Sequence, residues 1–206
     1  LGLPNLDVEL EAFFDYWTTA SVKNRNFGII TWPENKVGHL KVTGFEHKAS
    51  NASPITREVQ DTAFRLIGTG ADEEVVFEAI RPIVLSTFKK DKTAEEVAAY
   101  GRMGKAKYQR VPPSPAKAMI YYNKWLTPEE PFAVNDQGQW VYVCDVPEGK
   151  PYTNVIAFRK PEEIEGFEID YGILVEKFIR KKLESIYDVL GWDVERLCEM
   201  GPKSYW

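Results

Sequence analysis

Residues 170–190 read DYGILVEKFIRKKLESIYDVL. Tyr171, Leu174 and Phe178, then Leu183, Ile186, Tyr187 and Leu190, recur at helical spacing and form one apolar stripe. Arg180, Lys181 and Lys182 fall largely off that stripe, so the same helix carries a basic face. A helix of this length must bury its stripe against other elements, and the rest of the chain supplies them.

Working back from this helix, Gly138 to Val146 alternates as a strand and 152–158 is spaced to pair with it. Residues 111–115 (VPPSP) exclude regular helix. Thr93 to Glu96 fits a capping box opening a short third helix, and Asp72 opens a second, broken or kinked near Pro82. The first helix starts at Ser53, a cap, and Pro54, a first-turn residue. It runs through Ile55, Val59, Ala63 and Phe64 to a stop at Gly68 and Gly70. Before it, 26–32 and 38–45 read as a β-hairpin turned by Pro33 to Lys36. Residues 6–18 open like a half-buried strand, with Leu6, Val8 and Leu10 alternating. The expected fold class is α+β: antiparallel strands, then a mainly helical body with a small β tip.

The chain has 206 residues, 44% of them hydrophobic, enough to bury a core. No apolar run approaches the roughly 18 residues of a membrane span, so no membrane partner is expected. Two cysteines, far apart, exclude a disulfide scaffold and a Cys-rich zinc site. The net charge of −5 argues against nucleic acid only as an average. Residues 81–125 carry +7 and residues 126–170 carry −7, and from Arg102 to Lys124 there are six basic residues and no acidic one. A local basic field suffices to bind phosphate.

Catalytic motifs are missing. There is no Gly-rich phosphate loop, Gly-x-Ser-x-Gly or His-Glu-x-x-His pattern. His39 and His47 flank the second hairpin strand and read as surface residues; Cys144 and Cys198 read as ordinary thiols. Glu11 and Asp15 could approach each other, but a solvated face accounts for both.

Five segments in order resemble the C-terminal part of family B DNA polymerases, nearest to the tailed-phage replicative type. Lys23-Asn-Arg-Asn-Phe27 resembles the Lys-Lys-Arg/Lys-Tyr motif after the catalytic palm residues, with Asn24 and Asn26 in basic positions. Leu40-Lys-Val-Thr-Gly-Phe-Glu46 resembles a strand ending in Gly-(Leu/Ile)-Glu, and Ser50-Asn-Ala-Ser-Pro54 the opening of the first thumb helix. The stretch from Pro113 to Asn123 resembles Pro-x-His-x-Arg leading to Tyr-Asn, with Pro115 for the His and Lys117 for the Arg. Trp140 to Val143, Glu148 to Pro151 and Ile156 to Phe158 resemble a thumb strand pair. Asp170 to Leu183 resembles, without gaps, a helix of the pattern Asp-Tyr, Leu, Glu-Lys, Lys-Pro-Leu, with Lys182 for the Pro.

The resemblance implies residues 1–50 as the palm's C-terminal portion, 51–192 as thumb with a β-containing tip at about 111–164, and 193–206 as a tail. It implies no catalytic residue and no cofactor bound by this chain; Mg²⁺ would be held by a larger subunit carrying palm, fingers and exonuclease. It implies a fragment, or the small subunit, of a split polymerase that acts in the cytoplasm. The DNA contacts implied are Lys23, Arg25, Lys48, Lys105, Lys107, Arg110, Lys117, Asn123, Lys177 and Lys181. A thumb grips any sequence, so these groups should meet phosphates rather than base edges. Phe13, Phe14, Tyr16 and Trp17, on an open sheet edge, are the expected contact with the large subunit. Tyr121, Tyr122 and Trp125 read as core. A sliding clamp is a further expected partner, although the tail, Gly201 to Trp206, ends in aromatics and does not match the apolar clamp-binding peptide of phage relatives. Two other readings stay open: a free-standing thumb-derived DNA-binding module, and a structural interaction protein that binds no DNA.

Overall fold

A computed structural model describes residues 9–201 of the chain. The fold is α+β. Strands β1 (Phe13–Thr19), β2 (Asn26–Trp32) and β3 (Leu40–Thr43) form an antiparallel sheet in that order. Pairings such as Phe27 with Val42 and Thr19 with Asn26 set its register. Helices α1 (Pro54–Ile67) and α2 (Glu73–Phe88) pack on each other, followed by the single turn α3 (Ala94–Val97). A second sheet holds β4 (Ala99–Arg102), β5 (Gln137–Asp145) and β6 (Val155–Phe158), with the short β7 (Glu168–Ile169) on the far end of β5. Helix α4 (Ser114–Trp125) lies on β6. The C-terminal rod is α5 (Tyr171–Val175), a π-helical turn at Glu176–Arg180 and α6 (Lys181–Leu190), ended by Gly191 at φ 71°; α7 (Arg196–Glu199) follows.

One hydrophobic core spans both sheets and the helices between them. The first sheet enters it through Phe27, whose ring stacks on Phe64 of α1 at 4.2 Å and 14° between planes. Phe45 closes the cluster, 4.7 Å from Phe64. At the other end Phe178 of the π turn packs edge-on to Trp140 of β5 at 5.8 Å. So the strands expected as palm rim and the helices expected as thumb share one interior.

Several details depart from the sequence expectations, each for a local reason. The first strand begins at Phe13, not Leu6: residues 9–12 are not in a strand, and residues 1–8 lie outside those described. Pro82 does not break α2, because it and Glu78, whose carbonyl it leaves without a helical donor, both face solvent. Ser53 sits at the α1 cap position, but its hydroxyl donates to the Val97 carbonyl at 2.9 Å instead of accepting from the helix. Ser114 and Pro115 belong to the first turn of α4, where a missing N–H costs nothing. Trp125 is 40% exposed, under the Lys124 ammonium at 4.9 Å, whereas Tyr121 and Tyr122 are core. The capping box at Thr93 and Glu96, the Asp72 cap and the β5–β6 pairing follow the sequence reading.

Phe64→Ala removes the ring that ties the first sheet to the helices. A fully buried Phe costs about 3–5 kcal/mol on truncation. Urea unfolding should show that loss as a lower midpoint with an unchanged slope.

Candidate nucleic-acid interface

The C-terminal rod starts at Asp170, whose carboxylate accepts the Ile173 N–H at 2.9 Å. At the π turn the Lys181 N–H reaches back five residues to the Glu176 carbonyl. One extra residue per turn puts Phe178, Ile179 and Arg180 on the buried side in succession. Arg180, expected on the solvent face, is therefore 9% exposed. It bonds Glu176 through Nε and Nη2, Glu184 at 3.0 Å and Glu195 at 2.8 Å through Nη1. The hydrogen bond from Arg180 is the main cause that holds the Glu176 carboxyl below the usual range. The spacing of Glu176 and Glu184, four residues either side of Arg180, was the signal available in the sequence.

This hub engages the carboxylates nearest to Lys177 and Lys181. Lys177 has no carboxylate within 4.0 Å among the described residues, and Lys181 reaches Glu176 only at 3.9 Å. Lys181, four residues further on, is the largest cause that lowers the Lys177 pKa. Lys181 is thus only loosely paired, and the two lysines add positive charge to this part of the rod.

Lys105, Lys107 and Arg110 lie on the exposed loop between β4 and α4, around a recess of about 560 Å³ that Tyr108 also lines. The loop is pinned by the Lys105 N–H, which donates to the Tyr108 hydroxyl at 3.3 Å. None of these three cations is ion-paired among the described residues. Lys117 donates to the side-chain carbonyl of Asn154 at 2.6 Å, a neutral acceptor that leaves its charge uncompensated. Lys23 is exposed in the β1–β2 turn, next to Asn24 at φ 62°. That left-handed backbone suits Asn and explains a non-basic residue there. Lys48 lies in the 3₁₀ turn Glu46–Lys48.

Two expected contacts are committed inside the fold. The Asn123 amide donates to the Phe132 carbonyl at 2.9 Å and accepts the Phe132 N–H at 2.7 Å, so it closes the loop after α4. Arg25 pairs with Glu46 at 3.5 Å and covers the Phe45 ring at 5.6 Å. Sequence reading also passed over Arg159, which lies 4.2 Å from the Phe132 ring centre and donates to the backbone carbonyls of Glu130 and Pro131.

The aromatic set on β1 is open. Phe13, Tyr16 and Trp17 are 54%, 52% and 44% exposed, on a strand at the edge of its sheet. Phe14 is half-buried against Trp17, with ring centres 4.5 Å apart. His39 is exposed and His47 pairs with Asp61 at 3.0 Å. Glu11 pairs with Lys41 at 2.6 Å. Burial pushes the Cys198 thiol up to about 12 and also raises Cys144, so neither is a thiolate at neutral pH. No group of three His, Cys, Asp or Glu side chains suited to a metal occurs among the described residues. No helix among them is long and apolar enough to cross a membrane. The tail residues on which the clamp expectation rests lie outside the described residues. No protein-family model matches the chain, and no curated protein matches it.

The Arg180 hub makes stability pH-dependent with a definite sign. The Glu176 pKa is lowered in the folded state. Its contribution is present above the unfolded value, about 4.3, and is lost as pH falls through the folded value. Melting temperature should fall below about pH 4.3, and Glu176→Gln should flatten that acid limb while lowering the plateau at neutral pH.

Proposed function

We propose that this chain is the palm rim and thumb of a family B DNA polymerase, and that it grips the primer–template duplex by its phosphates. Its catalytic aspartates and their two Mg²⁺ ions would belong to the larger subunit, which performs nucleotidyl transfer. The observation that carries the reading is the placement of Lys177 and Lys181 four residues apart on the rod, the first with no carboxylate within 4.0 Å among the described residues and the second no nearer than 3.9 Å to Glu176, which Arg180 engages. Residues four apart on a helix can follow one phosphate strand. The unpaired cations of the 105–110 loop and Lys117 add to the same sequence-independent field. The exposed aromatics of β1 supply the surface on which the large subunit would seat.

Reconstitution separates the readings. Primer extension is measured with the chain, with a candidate large subunit, and with both. Activity that rises only in the mixture is the expected outcome. Duplex binding without any effect on extension would instead assign a free-standing DNA-binding module. No duplex binding at low salt would leave an interaction protein. Lys177→Ala and Lys181→Ala should each lower the salt slope of duplex binding by about 1, equally for unrelated sequences. A loss that depends on base sequence would contradict phosphate gripping.

A further inference from the structure

An open cleft of about 960 Å³ lies between the 46–50 segment, α1 and the second sheet, away from the Lys177–Lys181 face by the residues that line it. Two guanidinium groups border it, and neither has a carboxylate within 4.0 Å among the described residues. Arg57 donates through Nη2 to the Ala49 carbonyl at 2.8 Å, while its Nε is buried without a partner. Arg159 is held by the carbonyls of Glu130 and Pro131. Both charges are fixed in place by neutral acceptors, which leaves them unneutralised, and a guanidinium fork suits a phosphate. His47 adds a buried Nδ1 with no partner. Exposed Glu95 is the one carboxylate on the lining.

The opposite wall is polar and aromatic. Tyr100 of β4 is half-buried, and its hydroxyl accepts from the Gln139 side chain at 3.0 Å. Tyr100 also lines a second, narrower recess of about 180 Å³ bordered by Trp140, whose buried indole N–H has no partner. A ring wall with an amide beside it accepts a nucleobase, by stacking or by its edge. Cavities of this volume take drug-sized ligands, far less than a duplex.

We infer that this cleft binds one unpaired nucleic-acid strand, with phosphate on Arg57 and Arg159 and base against Tyr100 and Gln139. The second recess on Tyr100 favours a strand over a single free nucleotide. The inference rests on the reading of the chain as a nucleic-acid binder, but uses residues separate from the duplex-gripping lysines.

The test compares fluorescence anisotropy of the full chain with a mixed-sequence single-stranded 12-mer, a duplex of the same sequence and a deoxynucleoside triphosphate. Gln139→Glu keeps the shape and lets the Tyr100 hydroxyl donate in return, while it places a negative charge in the cleft. Arg57→Gln removes one cation, and circular dichroism checks that both variants fold. Each variant should lower the single-strand to duplex affinity ratio at least fivefold; Lys177→Glu with Lys181→Glu should raise it. An unchanged ratio in both cleft variants, or no single-strand binding at low salt, would overturn the inference while duplex gripping stands or falls on its own measurement. A triphosphate that binds as tightly as the 12-mer and displaces it would overturn the strand as occupant.

Discussion

Arg180 is a guanidinium lodged among packed helices, and its charge governs how the C-terminal rod is built. A buried cation is tolerated only when its donors are matched, and loss of Glu176, its least exposed partner, costs more than loss of the more exposed Glu184 or Glu195. Glu176 and Glu184 supply the match from the rod itself and Glu195 from the segment after it, so the hub also fixes the chain beyond Gly191. The π turn makes the geometry possible, because it turns Arg180 inward next to Phe178. Thr56 of α1 donates to the Phe178 carbonyl at 2.7 Å, and Gln60 to that of Lys182 at 3.1 Å. Side-chain donors from α1 thus lock onto the rod where its backbone pattern is irregular. Because Arg180 engages Glu176 at close range, Glu176 reaches Lys181 only at 3.9 Å.

The sequence made the regular elements legible and hid the irregular ones. The stripe from Tyr171 to Leu190 was readable because its seven apolar residues fall at helical spacing within 171–178 and again within 183–190. The five-residue step from Phe178 to Leu183 is the mark of the π insertion, but with two regular half-stripes on either side it reads as one ordinary helix, and Arg180 was therefore assigned to solvent. Strand β4 escaped notice because Ala99-Tyr-Gly-Arg102 has little β propensity and forms by pairing with Gln137 to Trp140, a contact nearly forty residues away. Asp72, Thr93 and Pro54 were readable because capping is a local matter. Ser53 was misread in its bonding because Val97, its true partner, comes from a distant turn.

The candidate site divides in the same way. Charge counting found the 102–124 stretch, and in the fold Lys105, Lys107 and Arg110 stand exposed on one loop. It could not tell Lys177, which has no close carboxylate, from Arg25 and Lys182, which both pair with Glu46. Asn123 looked like a polar group available to a ligand, but a carboxamide can serve a backbone N–H and C=O at once, and Phe132 presents both.

The acidic segment beside the basic one poses a physical question, since −7 across 126–170 could simply neutralise +7 across 81–125. Most of the acids that form bonds there do something else. Glu163 accepts the Arg159 and Lys160 N–H groups and the Tyr122 hydroxyl; Asp136, Asp145 and Asp170 accept backbone N–H groups within three residues of themselves. Glu168, with Lys90, is the exception. Carboxylates spent on turn and cap amides are held locally by the chain's own backbone. They lower the average charge of the molecule without reaching the cations of the 105–110 loop, so a chain with net charge −5 retains an exposed basic surface.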